Sequence, residues 1–427
     1  MNAKVKLTVL NFMEFAVWGA YLTSMGTYLA RVGMAGQIGW FYSVQGFVSL
    51  FMPALMGIVA DRWMEAQRLL SLSNLLAGIF MLAASVYGYQ AGDAVQFAPL
   101  FTLYTLSVAF FMPTIALSNS VAYSALDQAG LDTVKAFPPI RVFGTVGFII
   151  SMWIVDLGGM QSTPLQFGWS GLLSIVMAAY AITMPHCPVS TGSRKSLSDA
   201  LGLKAFALFR NYRMALFFIF SMFLGVCLQI TNGFANPFIT SFQNIDAFKD
   251  TFGVQHANIL ISLSQMSETL CILLIPFFLK RFGIKRVMLL AMLAWVLRYL
   301  FFAVGDPGSG VVWFVLSMIV YGVAFDFFNI SGSLFVDKET SLDIRNSAQG
   351  LFMMMTNGLG ASIGTLSAQM VIDRYVNSLG ANADPMAVWQ GWNTCWYIFA
   401  GYALVVAVAF AIMFRYKHEP EAVKPVK

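Results

Sequence analysis

Charge is scarce in this chain. Only 11% of its 427 residues are Asp, Glu, Lys or Arg, where a soluble domain carries about 25%. So few charges cannot cover a water-facing surface, and a soluble enzyme is excluded. Cysteine is thin as well. Cys187, Cys227, Cys271 and Cys395 stand far apart without C-x-x-C spacing, and they read as small apolar residues. The three His are scattered, and no H-E-x-x-H, G-x-S-x-G, Walker or dinucleotide-binding string occurs. No catalytic centre, metal or cofactor is therefore expected. The net charge is +5, but no basic run of the phosphate-binding kind exists, so nucleic acid is not an expected partner. A cleavable signal is not expected either. The apolar stretch from Leu7 to Ala30 outruns a signal core of about 7–15 residues, and no small-residue cleavage site follows it.

What fills the chain is hydrocarbon, including 39 Phe and 25 Met. The apolar share of 58% supplies about 248 residues, against roughly 240 for twelve spans of about 20. Apolar stretches of that length lie near 7–31, 38–60, 69–90, 96–121, 137–157 and 168–185. Six more lie near 212–242, 255–279, 285–305, 311–336, 346–372 and 388–414. Their lengths predict helices, because barrel strands have about 10 residues of alternating polarity. With the N-terminus placed in the cytoplasm, twenty of the 25 Lys and Arg fall on the cytoplasmic side. Arg31, Lys249 and Arg374 fall opposite, which puts both termini inside. The one long polar interval reads as a cytoplasmic linker at 190–211 carrying an amphipathic helix along the membrane surface. It divides a first half, 1–189, from a second half with a short cytoplasmic tail, 212–427.

The halves echo one another. Gly57-Ile-Val-Ala-Asp61-Arg62 follows the second span, and Lys280-Arg281-Phe-Gly283-Ile-Lys285-Arg286 follows the eighth. Six spans plus six, a central linker and a G-x-x-x-D-R turn after span two resemble the major facilitator superfamily. That resemblance implies an all-α integral membrane protein whose two six-helix halves rock around a site at the bilayer midplane.

Ionisable groups inside hydrocarbon are expensive and by default mark a pathway or a site. Five fall in these spans: Glu14, Arg141, Glu268, Arg298 and Asp326. Arg141, Thr145 and Phe148 share one helix face at i, i+4, i+7. Snorkelling to the headgroups is the plain alternative for Arg141, but the adjacent Pro138 and Pro139 predict irregular backbone lining a cavity. Gln229 and Asn232 are i, i+3 on span seven; Gln265 and Glu268 are i, i+3 on span eight. Single amides are usually packing glue, yet four such groups at matching depth favour a polar cavity. On span ten Tyr321 and Phe325 share a face, with Asp326 set among aromatics. An aspartate so placed must be protonated part of the time or paired with Arg298 or Arg141. Arg298 reads as structural, and Gly358, Gly360 and Gly364 read as close helix packing.

The strings FPPIRVFGTVGF, LQITN, SLSQMSET, YGVAFDFFNISGS and FMPALMGIVAD, with AFALF, SAQG and MMTNG, resemble the nucleoside:proton symporter family along nearly the whole chain. The resemblance implies a bacterial inner-membrane importer, sufficient as a monomer, with a nucleoside and a proton as its partners. It implies that Arg141, Thr145, Phe148, Gln229, Asn232, Gln265, Glu268, Tyr321, Phe325 and Asp326 line the central site. Glu14 departs from the family pattern, which has Gln there; it stands either as an added proton site or as a bond to a neighbouring helix. The chemistry agrees with the resemblance. Rings can stack on a base, amides can pair with its edge, and two cations against three carboxylates disfavour a phosphate. Asp326 is the expected proton carrier, ahead of Glu268 and Glu14. A sugar symporter of the same architecture is the alternative.

Overall fold

The computed structural model describes residues 3–187, 203–341 and 344–416, with the backbone alone at 61, 62, 134, 203, 204 and 346. Among the described residues every regular element is helical. The second to fifth spans are Ile38–Arg62, Ala66–Ala91, Phe97–Gln128 and Thr133–Leu157. The sixth is Leu165–Ala181, the seventh Tyr212–Ser241, the tenth Val311–Glu339 and the twelfth Pro385–Met413. Spans eight and nine form one run, Ala257–Val304, broken only at Gly283, where φ is 76° and ψ is 169°. That conformation suits glycine alone, since a Cβ there would meet the backbone. Eight described helices are long and apolar enough to cross a membrane unaided. The long run holds two spans, and the first, sixth and eleventh spans complete the twelve as shorter or interrupted helices. The protein is an all-α integral membrane protein of twelve spans.

The interruptions have local causes. The first span consists of Ala3–Gly19 and Met25–Arg31, joined by turns. Carbonyls freed at such a break inside a membrane need new partners. The Tyr42 hydroxyl donates to Leu22 O at 2.5 Å, and the Ser24 hydroxyl donates to Gln166 Oε1 at 2.9 Å. The eleventh span runs through Arg345–Met353, a π-helical turn at Met354–Gly360, and Ala361–Tyr375. The fifth span corrects one expectation: helix continues through Pro138 and Pro139. Each proline forfeits its own N–H bond, but both lie so near the helix start that only about one turn is affected.

The chain forms two compact units, Met1–Leu201 and Gly202–Lys427. In the first unit, Leu7, Leu70, Val121, Leu126, Met177 and Ala181 form a buried cluster. Serine hydroxyls staple neighbouring spans to one another. Ser71 donates to Ala178 O at 2.7 Å, Ser107 to Ala77 O at 2.8 Å, and Ser170 to Val17 O at 2.8 Å. Each such bond is worth roughly 0.6–2 kcal/mol in a membrane bundle. In the turn before span three, Glu65 accepts from Gln67 Nε2 at 2.8 Å and pairs with Arg68 at 3.0 Å and His186 at 3.3 Å. The hydrogen bond with His186, then the Arg68 charge, hold its carboxyl below the ordinary carboxylate range. The side chains of Asp61 and Arg62 in the same turn lie outside the described residues.

The second unit has an aromatic core in which Phe238 meets Phe302, Phe314, Trp392 and Trp396 at 5.4–6.0 Å between ring centres. Spans seven and eleven approach to backbone contact, where Gly364 lies against Val226 and Gly225 against Thr356. Of the expected packing glycines, Gly360 and Gly364 make this contact. Most of the expected linker, together with the tail from 417, lies outside the described residues. Its described end, Leu203–Arg210, is a 3₁₀ helix whose Phe209 packs on Phe218 of the seventh span at 5.6 Å.

Candidate functional site

In the first unit the polar groups gather where the first and fifth spans cross. The crossing is close because Gly147 faces the backbone of Phe12, and Gly19 faces that of Phe148. A Cβ on Gly144 would come within 2.7 Å of the Phe15 ring and 2.8 Å of Arg141 Nη1, so that glycine makes room for both. The Arg141 guanidinium lies 3.8 Å from the centre of the Phe15 ring. It is therefore held on an aromatic face of the first span. Thr145, one turn on, is half-buried. Phe148, 6% exposed, meets Trp18 edge-on at 6.2 Å. The Trp18 indole donates to Gln45 Oε1 at 3.3 Å, and Gln45 Nε2 donates to Tyr104 OH at 2.7 Å.

Glu14 is fully buried, at 0% exposure. Its Oε1 lies 2.5 Å from Thr114 Oγ1, which also lies 2.5 Å from Phe111 O. Asn74 and Arg141 stand within electrostatic reach of the same carboxyl group.

In the second unit, Asn232 Nδ2 donates to Gln229 Oε1 at 2.7 Å, which fixes the two amides as a pair. Tyr321 and Phe325 stack at 5.7 Å with 13° between their planes. Trp295 closes on Tyr321 edge-on at 5.9 Å. Glu268 and Asp326 both lie within electrostatic reach of Tyr321. Asp326 is 6% exposed; its sequence neighbours Phe327 and Phe328 turn to Phe278 at 5.1 Å and Phe352 at 6.1 Å. Gln265 is half-buried. A shallow apolar cleft beside the stack is lined by Leu228, Ala324, Phe325, Phe328, Asn329 and Thr356.

Arg298, at 2% exposure, is more than a packing residue. Its Nη1 donates to Ser317 O at 2.7 Å and reaches Ser264 Oγ at 3.4 Å. Its guanidinium lies 4.5 Å from the Tyr321 ring centre. The cation thus supports the back of the ring stack, tying the eighth, ninth and tenth spans together. Among the described residues no cluster of His, Cys, Asp and Glu has metal-binding geometry.

The sequence profile of the nucleoside H+ symporter family matches residues 1–419. The chain belongs to this family. Among its relatives, the xanthosine permease of Escherichia coli K12 is 48% identical over 429 residues, covering 99% of each chain. The crystal structure of the nucleoside transporter NupG superposes with a TM-score of 0.88 at 46% identity, covering 98% of this chain and all of that one. A D-xylose–proton symporter structure has a TM-score of 0.69 at 12% identity over 99% of this chain. That last likeness shows the shared major facilitator fold alone.

Membership makes the chain a transporter, not an enzyme. Four residues of this symporter's first unit escaped the sequence reading: Phe15, Trp18, Gln45 and Thr114. Trp18 stands one turn after Glu14 and so shares its face, which is the one signal the sequence offered. Gln45 and Thr114 come from other spans, and helical period reports a face without saying what that face meets.

Proposed function

We propose that this family member imports nucleosides with protons by alternating access, in the cytoplasmic membrane of a bacterium. Both termini are then cytoplasmic, and one copy of the chain is sufficient. The observation that carries the reading is that the second unit holds both a locked amide couple, Gln229 and Asn232 on the seventh span, and a flat ring stack, Tyr321 and Phe325 on the tenth. Amides offer two donors and an acceptor, enough to read the polar edge of a base. A ring stack offers the base a planar partner. Glu268 accepts from ribose hydroxyls, while Gln265 adds a further amide. Arg141, Thr145 and Phe148 of the first unit offer a donor, a hydroxyl and a second ring of the kinds a nucleoside can use. A phosphate would need several converging cations, and the described site residues offer two, the half-buried Arg141 and the buried Arg298, which favours an uncharged substrate.

Asp326 carries the proton in this reading, being neutral while the units move and ionised where water reaches it. One charge is worth about 2.3 kcal/mol per 100 mV, which corresponds to roughly 50-fold accumulation. The test is uptake of a radiolabelled nucleoside into proteoliposomes under an imposed pH gradient. Uptake should collapse with an uncoupler and be competed by other nucleosides but not by sugars. Competition by sugars, or flux indifferent to the uncoupler, rejects the reading.

A further inference from the structure

We propose that Glu14 is a second proton-binding site, confined to the first unit, and that its proton decides whether Arg141 is engaged by a carboxylate or available to substrate. The second half of that statement rests on the reading of Arg141 as a substrate group. The first half rests on geometry alone. A threonine hydroxyl has one hydrogen to give. Thr114 Oγ1 stands 2.5 Å from two oxygens, Phe111 O and Glu14 Oε1. Phe111 O is a carbonyl and can only accept. If Thr114 gives its hydrogen to that carbonyl, the contact with Glu14 requires the hydrogen to come from the carboxyl. The protonated acid therefore completes a relay, in which Glu14 O–H donates to Thr114 and Thr114 donates to Phe111. The ionised acid breaks it, because Thr114 must turn its hydrogen to one of its two neighbours.

The surroundings point the same way. Glu14 is at 0% exposure, with Thr114 and Asn74 as the hydrogen-bonding side chains at its carboxyl group. Burying a carboxylate costs several kcal/mol unless a cation and hydrogen bonds compensate it. The groups facing the carboxyl are Asn74 of the third span, Thr114 of the fourth and Arg141 of the fifth. The sixth span contributes the Ser174 hydroxyl, which donates to Asn74 O at 2.7 Å. Of these, Arg141 alone is charged. When Glu14 loses its proton to water, Arg141 is the cation among the described residues that can compensate the charge, and the guanidinium is drawn from its seat on Phe15. When a proton returns, that demand ends. Proton binding at Glu14 thus precedes or accompanies the use of Arg141 by substrate, and Glu14 adds one proton to the stoichiometry.

Two measurements on the full chain test this. In infrared pH titration of the detergent-purified protein, the carbonyl band of a protonated buried carboxyl should be present in the parent, titrate away at high pH, and be missing in Glu14→Gln. Thr114→Val, which removes the relay but keeps the acid, should shift the midpoint of that band. This readout needs no substrate, so it decides the proton site even if nucleoside transport itself fails its test. In proteoliposomes, each coupled proton raises limiting accumulation about tenfold per unit of pH gradient. The slope of log accumulation against the gradient should drop by one proton in Glu14→Gln. Absence of a Glu14 band across the pH range in which the protein stays folded overturns the proton site. An unchanged slope in Glu14→Gln overturns its part in coupling.

Discussion

Arg141 shows what a single residue contributes when its plane matters as much as its charge. Its guanidinium lies flat enough on Phe15 for a centre distance of 3.8 Å, a contact worth about 0.5–2 kcal/mol. Lysine keeps the charge but has neither the plane nor the fork. Arg141→Lys should therefore insert normally and yet lose nucleoside uptake, which a surface-labelling assay and an uptake assay on the same cells will separate. Normal uptake would return Arg141 to a headgroup-seeking role. Asp326 is tested differently. Asp326→Asn keeps the shape and locks the group neutral, so it should still bind nucleoside by calorimetry while failing to concentrate it under a pH gradient. Full uphill transport would move the carrier role to Glu268 or Glu14. At this scale the sequence was readable wherever chemistry repeats along one helix, as in Gln229 with Asn232 and Tyr321 with Phe325. It was silent wherever a partner comes from another span, as with Thr114 for Glu14 or Tyr321 for Arg298.

Helical elements here depend on where side chains are missing. Gly364 and Gly225 bring the seventh and eleventh spans together beside the π-helical turn at Met354–Gly360. Lipid gives helices no hydrophobic reason to associate, so close packing of small residues does that work. Gly364→Val would drive a branched side chain into the Val226 backbone. Such overpacking costs about 1–3 kcal/mol or more, and the variant should show a lower melting temperature in detergent, with misplacement of span eleven. A melting temperature equal to the parent's would mean the contact is slack. Span positions were legible because about 20 consecutive apolar residues have few alternative fates. The break after Gly19 and the π-helical turn were not legible, because neither changes the apolar content that marks a span. The prolines at 138 and 139 misled for the opposite reason: a strong local signal was absorbed near a helix start.

The whole molecule carries four cysteines, all free and all buried. The parent should therefore be silent to thiol reagents that stay in water, and its topology can be mapped without first removing them. Lys249→Cys should react with an impermeant maleimide on intact cells, whereas Arg281→Cys should react only after the membrane is opened. The reverse pattern would invert the orientation read from the Lys and Arg distribution. The two basic turns that echo one another in the sequence differ in their backbone. Between the eighth and ninth spans the helix departs from its course at one residue, Gly283. A loop of several residues stores relative displacement; a joint of one residue stores none. Axial slip of the eighth span is therefore expected to reach the ninth, which Arg298 ties to the tenth through Ser317. With so short a joint at Gly283, these three spans should move as a crank rather than as a chain of hinges. Two residues inserted beside it would restore the slack, and a transport rate still equal to the parent's would show that the stiffness is idle.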